Sequence, residues 1–310
     1  MIEVENLSKR YGDKLAVDDL SFVIQPGMVT GFLGPNGAGK STTMRMIAGL
    51  DEPTSGRVRV NGGDYRSAAA PMAELGVLLE AKAMHTGRSA RNHLLALAQT
   101  NGIGRRRVDD VIDIVGLRDV AGRRVGGFSL GMGQRLGVAS ALLGDPRTVV
   151  LDEPANGLDP EGVLWMRTML KDLAARGHTV FVSSHLMSEM AQTATRLVVI
   201  GRGRLIADTT VEEFVALASN HSVTVRTPEP TRLRELLLAP DVTVAIEQPD
   251  VLRVDGLTAE HIGTIAWHEH IPVYELAVRS ASLEEAFMEL TGDSVEYRST
   301  RTATDAAVAA

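Results

Sequence analysis

The chain has 310 residues, of which 44% are hydrophobic and 23% charged, and its formal net charge is -7. This length allows one large domain or two smaller ones, and the acidic balance argues against nucleic acid as the main partner. Cysteine is absent, which excludes disulfides and thiolate metal sites and fits a reducing cytoplasm. We find neither an apolar run of about 18 residues nor a signal-peptide pattern. We therefore expect any membrane-spanning part to belong to another chain.

Up to about residue 217, short apolar runs alternate with helical patterns, as in a parallel or mixed sheet covered by helices. Uniformly apolar runs predict strands that are buried on both faces. They cover residues 29–33, 148–151 and 178–182. Between the first two runs, residues 84–145 read as a helical insertion, with candidate helices at 91–99 and 108–115.

A further helix is predicted to begin at Asp159-Pro160, because Asp caps helix N-termini and Pro is favoured at the first helical position. Gly177 is expected to end it. Beyond Ala218 the pattern becomes that of a small α+β domain. Its predicted strands are 223–226, 242–246, 251–254 and 273–278, and its predicted helices are 231–238, 259–268 and 283–290. Ser282 and Glu285 form a capping box for the last helix.

A phosphate-binding loop follows the first apolar run and matches G-x-x-x-x-G-K-[ST] in full. It consists of Gly34, Pro35, Asn36, Gly37, Ala38, Gly39, Lys40, Ser41 and Thr42. Glycines let several backbone N–H groups point at one phosphate, and the following helix adds its positive dipole end. Lys40 supplies a charge to the β- and γ-phosphates, and the Ser41 hydroxyl suits Mg²⁺. The alternative is an ordinary glycine-rich turn, which the flanking strand and amphipathic helix disfavour.

An acidic pair, Asp152 and Glu153, directly follows the second apolar run. An aspartate at such a strand end holds Mg²⁺ in P-loop proteins, and a second carboxylate can polarise the attacking water as a general base. The alternative is a solvated strand end with an accidental acidic pair. The upstream phosphate loop favours a site for ATP hydrolysis.

The segment from Phe128 to Arg135 resembles the ABC signature, usually LSGGQ followed by x-Q-R. Ser129 and Gly131 fall on its serine and second glycine, whereas Phe128, Leu130 and Met132 depart from it. Together with the preceding motifs, this segment identifies residues 1–217 as similar to an ABC ATPase, and its S-L-G-M form resembles bacitracin- and daunorubicin-type exporters. In isolation, the segment would read as a capped core helix.

The resemblance implies an α/β P-loop NTPase fold of ABC type with a helical subdomain at about 84–145, a small α+β domain at 218–297, and a disordered tail at 298–310. It also implies roles for further residues. Tyr11 would stack on adenine, Asp159 would lie in the D-loop, and His185 would be the switch histidine beside the catalytic base. Glu80 stands where the family has a Q-loop glutamine that contacts the metal, so Ser41, Asp152 and Glu80 form the expected Mg²⁺ set.

The family also implies a mechanism, with ATP and Mg²⁺ as cofactors. Each ATP would lie between the phosphate loop of one copy and the Ser129–Gly131 segment of a second, so that a homodimer forms around ATP. A separately encoded integral membrane permease would be the partner, at the cytoplasmic face of the membrane. We expect an exporter of a drug, antibiotic or lipid-like compound. The alternatives are a soluble ABC ATPase without a transport role and a module that binds ATP without turnover.

Overall fold

The computed structural model describes residues 1–79, 84–217, 222–279 and 282–291. The chain divides into two compact units, one built on Met1–Asp208 and the other on Thr209–Leu290. The predicted boundary at 217 is the last residue of a helix and adjoins residues 218–221, which lie outside the described residues. Glu80 and the predicted tail at 298–310 also lie outside them.

The first unit contains nine strands among its described residues: β1 (Ile2–Tyr11), β2 (Lys14–Ile24), β3 (Val29–Leu33), β4 (Ser55–Val60), β5 (Leu75–Leu78), β6 (Thr148–Leu151), β7 (Thr179–Ser183), β8 (Arg196–Gly201) and β9 (Arg204–Thr210). Its described helices are α1 (Lys40–Ile47), α2 (Pro71–Glu74), α3 (Ala90–Thr100), α4 (Arg105–Ile114), α5 (Leu130–Leu142), α6 (Pro160–Ala175) and α7 (Met187–Thr193).

The central sheet has six strands in the order β5-β6-β7-β3-β8-β9, and the first five are mutually parallel. Every residue of β3, β6 and β7 is buried, so the prediction of strands buried on both faces is confirmed. The carboxyl ends of β3, β6 and β7 therefore lie side by side. In parallel sheets this edge is where ligands bind.

A second, antiparallel sheet of three strands, β2-β1-β4, completes the first unit. Three aromatic rings join it to the central sheet. The ring centre of Phe22 in β2 lies 6.0 Å from the ring centres of both Phe32 in β3 and Phe181 in β7. Helix α1 packs into the same core through Met44, Met46 and Ile47. This packing fixes the start of α1 against the end of β3.

Helices α3, α4 and α5 occupy the described part of the predicted insertion, and α3 and α4 match the two predicted helices within a few residues. Asp159 caps α6, since its Oδ1 accepts from the Gly162 N–H at 2.9 Å, and Gly177 follows the helix end with a φ of +88°, as predicted. Nowhere in the described part of the chain does a helix have the length and apolarity needed to cross a bilayer.

The second unit begins with α8 (Val211–Leu217) and continues as β10 (Ser222–Arg226), α9 (Pro230–Leu237), β11 (Thr243–Gln248), β12 (Val251–Asp255), α10 (Ala259–His268), β13 (Glu275–Arg279) and α11 (Leu283–Thr291). Its strands form an antiparallel sheet in the order β11-β12-β10-β13. A βαββαβ chain order with this sheet order is the ferredoxin-like arrangement. The predicted capping box is confirmed, because the Glu285 N–H donates to Ser282 Oγ at 3.1 Å and the Ser282 N–H donates to Glu285 Oε2 at 2.7 Å.

Candidate active site

The phosphate loop connects the buried end of β3 to the first turn of α1, and its glycines are required by its backbone. Gly37 and Gly39 have φ values of +82° and +101°, in the left-handed region that other residues rarely adopt. A Cβ at Gly39 would lie 2.5 Å from the Ala16 carbonyl oxygen, and one at Gly34 would lie 2.6 Å from that of Ile200. The loop is therefore held closely between β2 and β8. A curved glycine-rich loop that leads into a helix N-terminus is suited to binding an anion.

Lys40 is the cation of this loop. Its Nζ donates to the carbonyl oxygens of Gly34 at 2.5 Å and Pro35 at 3.2 Å. Burial lowers the pKa of Lys40, and the nearby carboxylates of Glu153 and Asp152 oppose that shift. A half-buried ammonium group held by two neutral carbonyls is well placed to bind a phosphate oxygen, which would restore its electrostatic balance.

Asp152 connects the loop to the neighbouring strand. The Ser41 hydroxyl donates to Asp152 Oδ2 at 2.8 Å, and the Ser183 hydroxyl donates to Asp152 Oδ1. The donors here are all oxygens, which Mg²⁺ prefers, and Mg²⁺ at phosphate sites typically takes only one or two protein ligands. No cluster of three or more His, Cys, Asp or Glu side chains suited to a metal occurs among the described residues. Ser41 and Asp152 thus suit a Mg²⁺ ion that phosphate oxygens would also bind. Glu80, the third predicted metal ligand, lies outside the described residues.

Glu153 has an unusual backbone conformation, with a φ of +51°. Three hydrogen bonds hold this turn. The Glu153 N–H donates to Ser183 Oγ at 3.0 Å, and its carbonyl oxygen accepts from Gln134 Nε2 and from the Asn156 N–H, both at 3.1 Å. A non-glycine residue held in this region is strained, and such strain is concentrated at functional sites.

The Glu153 side chain meets His185. Glu153 Oε2 accepts from the His185 N–H at 3.2 Å and lies 2.6 Å from His185 Nδ1. The imidazole therefore orients one oxygen of the carboxylate, and the other oxygen is left for a further hydrogen bond. A carboxylate oriented by a histidine can act chemically as a general base toward water.

Tyr11 is the last residue of β1 and is 47% exposed. Its hydroxyl donates to Asp51 Oδ2 at 2.7 Å, and Arg45 Nε binds the same oxygen at 2.8 Å. These hydrogen bonds, that of Arg45 being the stronger, lower the pKa of Asp51 to about 2. The ammonium group of Lys9 lies 5.0 Å from the Tyr11 ring centre. The ring is thus anchored at its hydroxyl while remaining accessible at its surface.

One cleft with a volume of about 450 Å³ brings most of these groups together, whereas Gly34 and His185 do not line it. It is lined by Tyr11, Lys14, Ala16, residues 35–42, Asp152 and Glu153. Sequence reasoning did not assign Lys14 or Ala16 to the site, nor the supporting contacts of Ser183 and Gln134. Ser183 directly follows the apolar run 178–182, and this was the only signal in the sequence that could have indicated it.

The remaining predicted residues form a separate group. Ser129 caps α5, because its Oγ accepts from the Met132 N–H at 3.2 Å. A Cβ built on Gly131 would lie 3.2 Å from the Gly157 carbonyl oxygen, so the start of α5 packs against the loop that leads to Asp159. Ser129, Gly131 and Asp159 do not line the phosphate-loop cleft of their own chain.

Arg135 and Trp165 join this second group to the helices around it. The Arg135 guanidinium stacks 4.2 Å from the Trp165 ring centre, which links α5 to α6. Arg135 Nη1 donates to the Val115 carbonyl at 3.0 Å, and Trp165 Nε1 donates to that of Ile114 at 3.2 Å. Both bonds satisfy carbonyl groups at the end of α4.

Comparison with known proteins places this geometry in a family. Residues 17–156 match the family model described as ABC transporter, and residues 221–284 match one described as a domain of unknown function (DUF8746). The chain is 41% identical over 211 residues to the bacitracin transport ATP-binding protein BcrA of Bacillus licheniformis, covering 67% of this chain and 69% of that protein. It is 35% identical over 301 residues to the Nod factor export ATP-binding protein I of Burkholderia orbicola, covering 94% and 97%.

A solved structure shares the fold. The dimeric post-hydrolysis state of an ATP-binding cassette bound to ADP and Pi has a TM-score of 0.62 and 22% identity, covering 68% of this chain and 98% of that chain. The relatives favour a transport ATPase over both an ABC ATPase without a transport role and a module without turnover. The chain belongs to the ATP-binding proteins of ABC transporters and is the ATP-binding, ATP-hydrolysing subunit of such a transporter.

Proposed function

We propose that this subunit powers export of a drug, antibiotic or lipid-like compound through a separately encoded integral membrane permease, at the cytoplasmic face of the membrane. Relatives named for bacitracin transport and Nod factor export support this class of cargo. One structural observation carries the proposed mechanism: Tyr11, residues 35–42, Asp152 and Glu153 line the phosphate-loop cleft, whereas Ser129, Gly131 and Asp159 do not. A complete site then requires a second copy of the chain.

In this proposal the cleft binds ATP. Backbone N–H groups among residues 36–42 and the Lys40 ammonium bind the phosphates, and the accessible Tyr11 ring stacks on the adenine. Ser41 and Asp152 would hold Mg²⁺, which supplies neutralisation of phosphate charge. Ser183 supports this arrangement, since its hydroxyl orients Asp152 and accepts from the Glu153 N–H.

Glu153 acts as the general base. Its carboxylate accepts the proton of the attacking water, and His185 orients it through the 2.6 Å contact with Nδ1. The Glu153 backbone is bonded to Ser183 at the end of β7, to Gln134 of α5 and to Asn156, and these three hydrogen bonds fix the position of the carboxylate. Positioning of this kind lowers the barrier, because the base need not reorganise during reaction.

The Ser129–Gly131 segment completes the site of a second copy. It offers a hydroxyl, a closely packed glycine and a helix N-terminus, all of which bind anions without introducing a competing negative charge. ATP would then hold two copies together, and loss of phosphate would release them. The closing and opening of this homodimer would drive the permease as a rigid-body switch.

Co-purification tests the transport proposal. The tagged subunit, expressed with the membrane proteins of its source organism, should retain an integral membrane protein, and reconstitution with that protein should stimulate ATP hydrolysis. Deletion of both genes should then sensitise cells to one class of drug, antibiotic or lipid-like compound. Full ATPase activity without any membrane partner, and unchanged sensitivity on deletion, would contradict the proposal.

A further inference from the structure

The sheet of the second unit has two edge strands with different character. At β11, the pairing with β12 has a register shift between Ile246 and Gln248, and such a bulge blunts an edge. At β13, the pairing with β10 is regular from Arg226–Glu275 to Ser222–Arg279. No other described strand pairs with β13 on its far side. This edge therefore presents regular backbone that remains available for pairing.

The exposure of β13 supports an open edge. Four of its five residues, Glu275, Ala277, Val278 and Arg279, are exposed. Val278 is 58% exposed although its neighbour in the sheet, Val223, is fully buried. Natural edge strands are protected by Pro, bulges or charged side chains, Lys above all. β13 has no Pro, Lys or bulge, and its two charged residues, Glu275 and Arg279, are of opposite sign and lie at its two ends.

The sequence of β13 is complementary to itself in antiparallel pairing. With Ala277 at the centre, Glu275 would face Arg279 of a second copy, and Leu276 would face Val278. Charged residues would meet on one face of the sheet and apolar residues on the other, because alternate residues share a face. The same operation on β11, centred on Ala245, would pair Val244 with Ile246 but Thr243 with Glu247. Of these two edge strands, only β13 therefore offers cross-strand ion pairs.

We propose that β13 pairs with β13 of a second copy of this chain, joining the two four-stranded sheets into one continuous sheet. This is a symmetric contact in which the same surface is used twice. The ion pairs that Glu275 and Arg279 make within the chain do not oppose it. Glu275 lies 3.6 Å from Arg226, and Arg279 lies 3.4 Å from Glu285 and 3.7 Å from Glu247, all at exposed positions where such pairs contribute little.

This contact differs from the ATP-dependent one proposed above because nothing in it binds nucleotide. It keeps two copies close when ATP is absent and raises their effective concentration for the next closure. The two proposals can therefore be refuted independently. The β13 contact is measured as dimerisation without nucleotide, and the ATP-dependent contact is measured as the increase in dimerisation that MgATP produces.

Cysteine cross-linking tests the pairing directly, since the chain has no cysteine of its own. Residues that face each other across an antiparallel pair have Cα atoms about 4.5–5.5 Å apart, within reach of a disulfide. The variant Ala277→Cys, in full-length protein without nucleotide, should form a covalent dimer rapidly under mild oxidation. The matched variant Ala245→Cys lies at the other edge of the same sheet and should cross-link slowly. Equal rates for the two variants would overturn the proposal.

Charge exchange provides the second test. Either Glu275→Arg or Arg279→Glu alone should weaken the nucleotide-free dimer about tenfold in sedimentation, because two favourable cross-strand pairs become like-charge pairs. The double variant Glu275→Arg/Arg279→Glu should restore it. Val278→Lys should also weaken it, whereas Ile246→Lys on β11 should not. Circular dichroism of each variant checks that it is folded. A folded double variant that stays monomeric while the parent dimerises would contradict the pairing.

Discussion

The phosphate-loop cleft and the Ser129–Gly131 segment differ in how their polar groups are satisfied. In the cleft, Lys40, Asp152 and Glu153 are each held by hydrogen bonds within the chain. The Ser129–Gly131 segment presents a capped helix start, a glycine and the side chain of Leu130, which is 51% exposed. None of these three residues is charged. We infer that changes in the cleft affect a single copy, whereas changes in the segment become visible only when two copies meet.

The largest effect is expected for Glu153→Gln. Removal of the base should lower the rate of phosphate release by about 10²–10⁴-fold while ATP affinity is retained, because the amide keeps the shape of the side chain. Phosphate release and nucleotide titration measure the two quantities. Glu235→Gln, at an exposed position of the second unit, is the control. Steady hydrolysis by Glu153→Gln would refute the assignment of the base.

Gly131→Asp tests the Ser129–Gly131 segment. A carboxylate placed where a second copy's phosphate is expected should weaken ATP-dependent dimerisation about 100-fold, since like charges are brought together. ATP affinity of the single copy should stay unchanged. Sedimentation of the variant in a Glu153→Gln background measures dimerisation. The control is Gly133→Asp, where a Cβ would meet no neighbouring atom within 4 Å. A loss of ATP affinity in the monomer would show that the segment acts within its own chain.

Lys40→Ala should weaken ATP binding roughly ten- to 100-fold in a single copy, because a charge-assisted hydrogen bond to phosphate contributes about 1.5–3 kcal/mol. Nucleotide titration measures this effect, and Lys171→Ala on the exposed face of α6 is the matched loss of charge. An unchanged affinity would count against the phosphate loop as the binding site.

Tyr11 separates recognition of the base from recognition of the phosphates. Tyr11→Ala should weaken ATP binding about tenfold, since stacking of a base on an aromatic ring contributes roughly 1–3 kcal/mol. Tyr11→Phe keeps the ring and should have a small effect. Binding of inorganic triphosphate should be the same in both variants. A similar loss for triphosphate would mean that Tyr11 supports the loop and does not contact adenine.

The smallest effect concerns the pH dependence of stability through Asp51. Its folded pKa of about 2 lies below the ordinary value of 3.8, so the carboxylate stabilises the fold above 3.8, and this contribution is lost as the pH falls through about 2. Asp51→Asn should lower the free energy of unfolding by about 1 kcal/mol at neutral pH, after allowance for solvent screening. In urea unfolding, the difference from the parent should narrow as the pH falls. A constant difference would exclude the ionised carboxylate as its source.

Much of the first unit was predictable because its motifs follow elements with strong patterns. The fully buried strands β3 and β6 end at the phosphate loop and at Asp152, so uniform apolar runs indicated both elements and sites. Strands β1 and β2 were not predicted. Their pairing shifts register three times, which breaks the alternation that identifies a strand.

Contacts between distant residues were less predictable. Gln134 was noted only as part of a motif, yet it is 4% exposed and binds the Glu153 backbone 19 residues away. Ser183 meets Asp152 only because β6 and β7 are neighbours in the sheet. In the second unit the pattern predicted the strands but not their order, because sheet order depends on packing between residues far apart in sequence.

The left-handed backbone of Glu153 has a consequence for laboratory evolution. A non-glycine residue in this conformation costs roughly 1 kcal/mol, and glycine would relieve that cost. Glu153→Gly should therefore be more thermostable than the parent and yet inactive. Selection of this enzyme for heat resistance alone would reward loss of its turnover, so a screen for robust variants must score phosphate production alongside melting temperature.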